Sequence, residues 1–441
     1  MSEASRSHLL GPVMSIAMVV GLIIGAGIFL LPASIAPFGV NMFVGWAITI
    51  GGFLALAFAF SALAARVDGG PYEYVKGAFG EEAAFLTNWS YLVSCWSAGA
   101  ALAVAMAGAL ARATPALSAP GLVAPLSIAA VVLITAIACT GARSAGGTQV
   151  VTTGLKLVPL LLVVLVVGAI LLSGGEAQPL AATPVNGDNV ASVAAIMAFS
   201  LLGFEAAAFA AGKTADARKT VPIATMAGTA VTGLIYVLAC TAVVLLVPLD
   251  RLSVSTQPFA DAIAGSLGEG AGMLIALFVA ISAIGALNAN VLITGEIGYD
   301  MGRDRSVPAA LGRSNRFGMP TIALAASSAI TILLIFMNSS RTLSGLFTFM
   351  VLLTTVSSLF LYAVVALVAM KAPLHGMARA LVFMAFLFAL WTIYGAGLEA
   401  FLWGLALVAA GWPVRWLSRR FNSSAATPAG AAPAAPPGSS A

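Results

Sequence analysis

Apolar runs of about 20 residues recur along almost the whole chain. One example is residues 319–337, MPTIALAASSAITILLIFM, which contain no charged side chain. An α-helix of about 20 residues crosses a hydrocarbon layer of roughly 30 Å while keeping its backbone hydrogen bonds paired. Only 8% of the 441 residues are charged and the mean hydropathy is +1.04, values that soluble domains do not reach. The runs therefore predict an all-α integral membrane protein.

Charged residues, prolines and glycines divide these runs into twelve predicted membrane spans. The least distinct boundary separates the last two spans, where only residues 395–399 indicate a turn, so eleven spans are the alternative. Residues 1–11 are expected to form a tail that leads into an uncleaved first span, and the Ala/Pro-rich residues 421–441 a disordered tail. The predicted spans begin near residues 12, 41, 84, 120, 148, 190, 222, 270, 319, 343, 377 and 396.

The basic residues predict an orientation. With the N-terminus in the cytoplasm, 16 of the 20 basic residues lie on the cytoplasmic side, 3 lie outside, and Lys156 lies within a span. Loops on the cytoplasmic side of membrane proteins carry such an excess of Lys and Arg. We therefore predict a multi-pass protein of a bacterial inner membrane with both termini in the cytoplasm, surrounded by lipid and without a nucleic-acid partner.

Residues with catalytic or metal-binding chemistry are few and scattered. The three cysteines lie in apolar spans without the spacing of a metal site, and the two histidines lie in a tail and a loop. No HExxH, GxSxG or GxxxxGK[ST] motif occurs. We therefore expect no enzyme activity, no catalytic residue, no metal and no cofactor. The residues concerned are Cys95, Cys139, Cys240, His8 and His375.

Glycines interrupt the first span within GLIIGAGIFLLP, residues 21–32. One such stretch is equally compatible with close helix packing. The sixth span has a second interruption at Gly203 and Glu205, and matching interruptions in two halves of a bundle are typical of transporters with inverted repeats. Freed N–H groups suit a carboxylate and freed carbonyls suit an ammonium group. The pair of interruptions therefore predicts an amino acid site.

Two charged side chains are predicted inside spans. Glu205 is interpreted as functional because an intramembrane carboxylate is costly, and a structural hydrogen bond between helices is the alternative. Lys156 is interpreted as an ammonium group against the freed carbonyls of the first span, where another carrier would hold sodium. Its alternative is snorkelling to a membrane surface. Glu296 lies near the end of a span, where an interfacial role fits as well.

Six stretches, in order along the chain, also resemble a known family. They are GAGIFLLPA at 25–33, GGPYEYVKGAFG at 69–80, TNWSYLVSCW at 87–96, GFEAAAFAAG at 203–212, KTVPIAT at 219–225 and SVSTQPFADA at 253–262. They resemble the amino acid–polyamine–organocation superfamily, and within it the arginine/agmatine and basic amino acid/polyamine antiporters. The resemblance implies a LeuT-like five-plus-five inverted repeat with broken helices 1 and 6, alternating access and a homodimer. The implied repeats are residues 12–173 and 190–370, followed by two helices in 377–416.

The resemblance also implies roles for individual residues. The unwound first helix would receive the substrate carboxylate, and carbonyls of residues 199–203 would receive the α-ammonium group. Phe199 stands where the antiporters have a gating tryptophan, and Tyr91, Lys156 and Glu205 match residues linked to gating or proton coupling. The expected substrate-binding residues are Ile23, Gly25, Ala26, Gly27, Ser94, Cys95, Gly99, Phe199, Ser200, Leu202, Gly203 and Asn290.

Four positions depart from the arginine carriers that the chain resembles. One is Lys156, which resembles the lysine of proton-coupled and neutral-amino-acid members of the superfamily, whereas the arginine antiporter has a small residue there. A serine, an asparagine and a second tryptophan of those carriers are replaced by Ala26, Gly99 and Asn290, which removes groups that hold a guanidinium side chain. We therefore predict a sodium-independent exchanger or proton-coupled carrier of neutral amino acids. A cationic amino acid/polyamine antiporter and a non-transporting amino acid sensor are the alternatives. The expected pocket comprises Ala26, Gly99, Leu102, Phe199 and Phe204.

Overall fold

The computed structural model describes residues 12–67, 70–117, 119, 121–141, 145–205 and 216–424. These residues form helices and the turns between them, and no β-strand occurs among them. The predicted tail at 1–11, the tail from residue 425 onward and residues 206–215 of the sixth predicted span lie outside the described residues.

The helices are numbered here in chain order. A short 3-10 turn, Ala26–Phe29, separates the first two. The first half of the chain contains α1 (Pro12–Ile23), α2 (Leu31–Ile35), α3 (Asn41–Ala64), α4 (Pro71–Phe79), α5 (Glu81–Ala113), α6 (Val123–Cys139), α7 (Ala145–Leu172) and α8 (Gly187–Leu201). The second half contains α9 (Ala217–Leu246), α10 (Leu249–Leu252), α11 (Pro258–Leu267), α12 (Glu269–Arg303), α13 (Thr321–Met337), α14 (Leu343–Met370), α15 (Met377–Gly395), α16 (Gly397–Ala409) and α17 (Gly411–Ser424).

Eight helical segments of the described chain are long and apolar enough to cross a membrane. They are α3, α5, α7, α9, α12, α14, α15 and the combined α16–α17 segment; α6, α8 and α13 are apolar but shorter. Each of the twelve predicted starts lies within five residues of a helix start. An all-helical membrane protein is therefore confirmed, whereas the count of twelve crossings stays a prediction.

The bundle is centred on α5 and α14. These helices pack along each other, and α12 also packs along α5. Almost every residue in the apolar part of α5 is buried, whereas α7 and α15 expose leucines such as Leu165 and Leu387. An outward apolar face suits a helix in contact with lipid, so the most buried helices are those that surround the two chain interruptions.

Candidate functional site

The first interruption lies between α1 and α2. The chain leaves α1 at Ile23 and passes through an extended Gly25 (φ −92°, ψ −176°) into the turn Ala26–Phe29. The first N–H groups of a helical turn have no partner within it, and Gly25 has no side chain to cap them. A small region of backbone N–H groups therefore opens in the middle of the first span.

Protein side chains occupy the carbonyls of this interruption. The hydroxyl of Tyr236, on α9, donates a hydrogen bond to the carbonyl of Ile23 at 2.9 Å. The ammonium group of Lys156, on α7, donates to the carbonyl of Gly21 at 3.4 Å. Lys156 is 3% exposed and so does not snorkel to a surface. Lys156 satisfies a carbonyl group that lipid would leave unpaired, whereas the Ile23 carbonyl accepts a second hydrogen bond, from the N–H of Gly25, at 2.7 Å.

The second interruption follows α8. Leu202 is extended (φ −63°, ψ 149°), and Gly203 has a φ of +104°, which residues with a side chain rarely adopt. The N–H of Gly203 donates to Oε2 of Glu205 at 3.0 Å. The last carbonyls of a helix have no partner inside it, so the end of α8 presents carbonyl groups.

Phe199 lies where the two interruptions meet. A β-carbon added at Gly27 would overlap its ring, so the glycine lets the ring rest on the backbone of the first interruption. The ring also meets Phe347 of α14 edge-on, with 6.2 Å between the ring centroids. The side chain from α8 therefore covers the turn Ala26–Phe29 from one side.

Glu205 connects the second interruption to the centre of the bundle. Its side chain is 2% exposed, and Oε1 accepts a hydrogen bond from the Tyr91 hydroxyl at 2.9 Å. Tyr91 lies on α5, so the carboxylate joins α5 to the backbone at Gly203. Two donors therefore fix both oxygens of the carboxylate.

A cavity of about 170 Å³ lies between the two interruptions and helices α5, α7, α12 and α14. It brings together most of the residues that the sequence singled out. Lys156 and Glu205 are the two charged residues in its described lining, so with both ionised the wall has no net charge. The predicted residues that line it are Ile23, Gly25, Gly27, Tyr91, Ser94, Cys95, Leu102, Lys156, Phe199, Ser200, Leu202, Gly203, Glu205 and Asn290.

Other predicted residues have different positions. Gly99 lies behind Asn290, because a β-carbon at Gly99 would be 2.8 Å from Oδ1 of that amide. Phe204 is fully buried and points away from the cavity, packing edge-on against Phe60 and Tyr362 with centroid distances of 5.3 and 5.1 Å. Gly99 and Phe204 are therefore not in the described lining of this cavity, and a role of Gly99 in substrate binding stays a prediction. Ala26 begins the 3-10 turn of the first interruption.

The cavity wall also contains residues that sequence reasoning missed. Thr354 and Ser358 line it from α14, and their spacing of four places both hydroxyls on one face of that helix. Recurring hydroxyls at helical spacing in an apolar segment are the signal that would have indicated them. The wall from α12 includes Ala286, Ala289 and Ile293 beside Asn290, and Gly21, Ile28 and Ala98 complete it.

Comparison with known proteins identifies the family. The family model described as "Amino acid permease" matches residues 10–422. The chain belongs to the amino acid permease family. Among the described residues, His, Cys, Asp and Glu form no group able to hold a metal ion. Because the family consists of transporters, the permease fits the expectation that the chain is not an enzyme.

Three relatives show how far the similarity extends. The permease is 28% identical over 340 residues to a cadaverine/lysine antiporter of Escherichia coli K12, covering 73% of this chain and 74% of the relative. It is 30% identical over 364 residues to an arginine/ornithine antiporter of Pseudomonas aeruginosa, covering 76% and 73%. It is 26% identical over 426 residues to a putrescine transporter of Haemophilus influenzae, covering 93% and 97%.

Proposed function

We propose that this permease is a sodium-independent antiporter that exchanges cationic amino acids or polyamines by alternating access. The observation that carries the proposal is that the two interruptions line one cavity and differ in which backbone groups the protein already binds. One interruption has its carbonyls occupied by protein donors, and the other has its N–H occupied by a protein carboxylate.

This division leaves complementary backbone groups for a substrate. Tyr236 and Lys156 donate to two carbonyls of the first interruption, and the first N–H groups of the turn Ala26–Phe29 have no partner within that turn. Glu205 occupies the N–H of Gly203, so the remaining groups of the second interruption are carbonyl acceptors. A substrate carboxylate fits the former and an α-ammonium group fits the latter.

The relatives supply the argument for a cationic side chain. Their names refer to cadaverine, lysine, arginine, ornithine and putrescine, which carry amino or guanidino groups. They favour the cationic alternative over the neutral substrate that Ala26, Gly99 and Asn290 suggest. Asn290, Thr354 and Ser358 line the cavity, and an amide or a hydroxyl group can accept a hydrogen bond from a distal ammonium group.

A neutral amino acid is the second candidate, and one observation favours it. The α12 wall opposite the interruptions is mainly apolar, with Ala286, Ala289 and Ile293 next to a single amide. Glu205 is already held by two donors and Lys156 places a positive charge in the same cavity. A wall of this kind binds an aliphatic side chain without a counter-charge.

The remaining parts of the proposal concern the transport cycle and the membrane. Phe199 would cover the bound substrate, and Lys156 would replace sodium at the first interruption. Lys156 or Glu205 would couple protonation to transport. Twelve spans, the two inverted repeats, a bacterial inner membrane, cytoplasmic termini and a homodimer belong to the same proposal, supported by the positive-inside count and the family.

Counterflow in proteoliposomes tests the proposal. Liposomes loaded with lysine are expected to take up labelled lysine, arginine or putrescine at least ten times faster than labelled alanine or leucine. Preference for alanine or leucine would instead establish the neutral candidate. Substrate-dependent thermal stabilisation without any flux would establish an amino acid sensor and contradict transport.

A variant pair locates the side-chain site within the same assay. Asn290→Ala removes an acceptor and is expected to slow lysine exchange about fivefold, the value of one hydrogen bond of about 1 kcal/mol. Ile293→Ala lies close by on α12 and removes only apolar surface, so it is the matched control. Equal effects of both variants on lysine exchange would contradict a role for the amide.

A further inference from the structure

Helix α9 packs against both α1 and α3, and this seam contains buried polar groups with unmet hydrogen-bonding capacity. The hydroxyls of Ser15, Thr225 and Thr232 and the indole N–H of Trp46 have no hydrogen-bond partner within the described part of the chain. Each of these side chains is at most 1% exposed. None of the four lines the cavity between the interruptions, so the proposed transport site does not account for them.

Two contacts define how the helices are aligned along this seam. A β-carbon added at Gly228 of α9 would overlap Val19 of α1, and Tyr236 of α9 bonds the carbonyl of Ile23 at the end of α1. From the first contact to the second, residue numbers rise along both helices, so α1 and α9 run parallel. Ser15 lies about one turn before Val19, which places it at the level of Thr225.

The other two polar groups lie at the level of the first interruption. Thr232 precedes Tyr236 by four residues, so both lie on the same face of α9. The ring of Trp46, on α3, lies 6.4 Å from the ring of Tyr236. The seam therefore has two polar levels, one with Ser15 and Thr225 and one with Thr232, Trp46 and Tyr236, and the close contact at Gly228 separates them.

In protein interiors and in membranes, buried polar groups of this kind rarely lack a hydrogen-bond partner. A buried hydroxyl or indole N–H without a partner is unfavourable, and an ordered water molecule is the usual partner where several polar groups converge. The Tyr236 hydroxyl donates to Ile23 and retains acceptor capacity. The level with Thr232, which is called the upper level, thus offers a water molecule the indole N–H donor of Trp46, the Thr232 hydroxyl and the Tyr236 oxygen.

We propose that ordered water molecules bind in this seam at both levels. The upper water site lies behind the first interruption, on the side of α1 away from the substrate cavity, and supports the Tyr236 hydroxyl that holds the Ile23 carbonyl. This proposal does not depend on the transported substrate, and its experiments require no transport.

The direction in which Thr→Val substitutions change the melting temperature, Tm, tests this proposal. Thr→Val keeps the side-chain shape and removes the hydroxyl, so it destabilises a water-bonded site and stabilises a dry one. Thr225→Val and Thr232→Val are each expected to lower Tm of the purified permease by about 1–2 °C. Thr229→Val is the matched control: its hydroxyl donates to the carbonyl of Thr225 at 2.7 Å, but that carbonyl keeps its helical N–H partner, and such bonds to the preceding turn add little stability, so Tm is expected to stay unchanged. An unchanged or raised Tm for Thr225→Val and Thr232→Val overturns the proposal.

Radiolytic hydroxyl labelling read by mass spectrometry tests the upper site directly. A bound water generates radicals beside Trp46, so this residue is expected to be oxidised faster than Trp89, although Trp46 is 1% and Trp89 8% exposed. Trp89 donates its N–H to the carbonyl of Leu407 and is the control. Thr232→Val is expected to slow oxidation of Trp46 at least twofold, and Thr229→Val to leave it unchanged. Slower labelling of Trp46 than of Trp89, or equal rates in both variants, overturns the proposal.

Discussion

The two chain interruptions differ in which backbone groups the protein satisfies by itself. At the first, Tyr236 and Lys156 donate to the carbonyls of Ile23 and Gly21. At the second, Glu205 accepts from the N–H of Gly203. An interrupted helix frees donors and acceptors alike, so the interruption alone has no preferred ligand charge. Side chains give each interruption its polarity: they come from the neighbouring helices α7 and α9 at the first interruption, and from Glu205 of the same segment at the second.

The largest expected effect removes the contact between the two interruptions. Gly27→Val places a side chain against the ring of Phe199 and over the N–H groups of the first interruption. An overlap costing about 3 kcal/mol lowers substrate affinity about 100-fold, measured by thermal shift or scintillation proximity. Gly51→Ala is the control, since a β-carbon at Gly51 meets no atom within 4 Å. Unchanged binding by Gly27→Val would refute the site.

A smaller effect is expected when one carbonyl loses its donor. Lys156→Ala leaves the Gly21 carbonyl unpaired, and the cost of about 1–3 kcal/mol predicts exchange about tenfold slower or with an altered pH dependence. Lys371→Ala is the control, because that exposed lysine also donates to a backbone carbonyl, of Ala78, at 3.0 Å. Wild-type exchange by Lys156→Ala at every pH would remove this lysine from the mechanism.

Tyr236→Phe removes the other donor while keeping the ring in place. One neutral hydrogen bond is worth about 1 kcal/mol, so substrate affinity is expected to fall about fivefold. Tyr394→Phe is the control, because its hydroxyl bonds Asp188 at an exposed position, at 3.1 Å. If both variants bind substrate alike, the Ile23 carbonyl does not need its donor and the first interruption has no fixed polarity.

The smallest change in affinity is expected at the second interruption. Glu205→Gln retains one acceptor for Gly203 or Tyr91, so substrate affinity is expected to change less than about threefold. The titratable group is lost, and the pH profile of exchange between pH 5 and 8 is expected to change. Glu296→Gln is the control, because Glu296 is exposed on α12. An unaltered profile would assign Glu205 a structural role only.

The sequence predicted the elements that follow from hydrophobicity and local backbone chemistry. Glycine at positions 25, 27 and 203 indicated where the helices end, because matching glycine interruptions in two spans are typical of broken helices that line a binding site. Lys156 and Glu205 stood out because a charge inside a span needs a partner. These features are local, and a single sequence reports them directly.

The residues that were missed depend on how helices face one another. Tyr236 resembles any aromatic residue of an apolar span, and only the alignment of α9 with α1 places its hydroxyl at Ile23. Phe204 directly follows Gly203, and the positive φ of that glycine turns it into an aromatic cluster with Phe60 and Tyr362. The names of the relatives favour the cationic alternative over the predicted neutral substrate, and Ala26, Gly99 and Asn290 do not carry that information.

The packing of Gly99 against Asn290 restricts how this permease can evolve. A β-carbon at Gly99 would be 2.8 Å from the amide oxygen of Asn290 and 3.4 Å from a methyl group of Thr331. A larger residue at 99 therefore requires the Asn290 side chain to move away or position 290 to change. The two positions form an epistatic pair in which the order of substitutions matters, so a lineage that alters its substrate preference here is expected to change position 290 first.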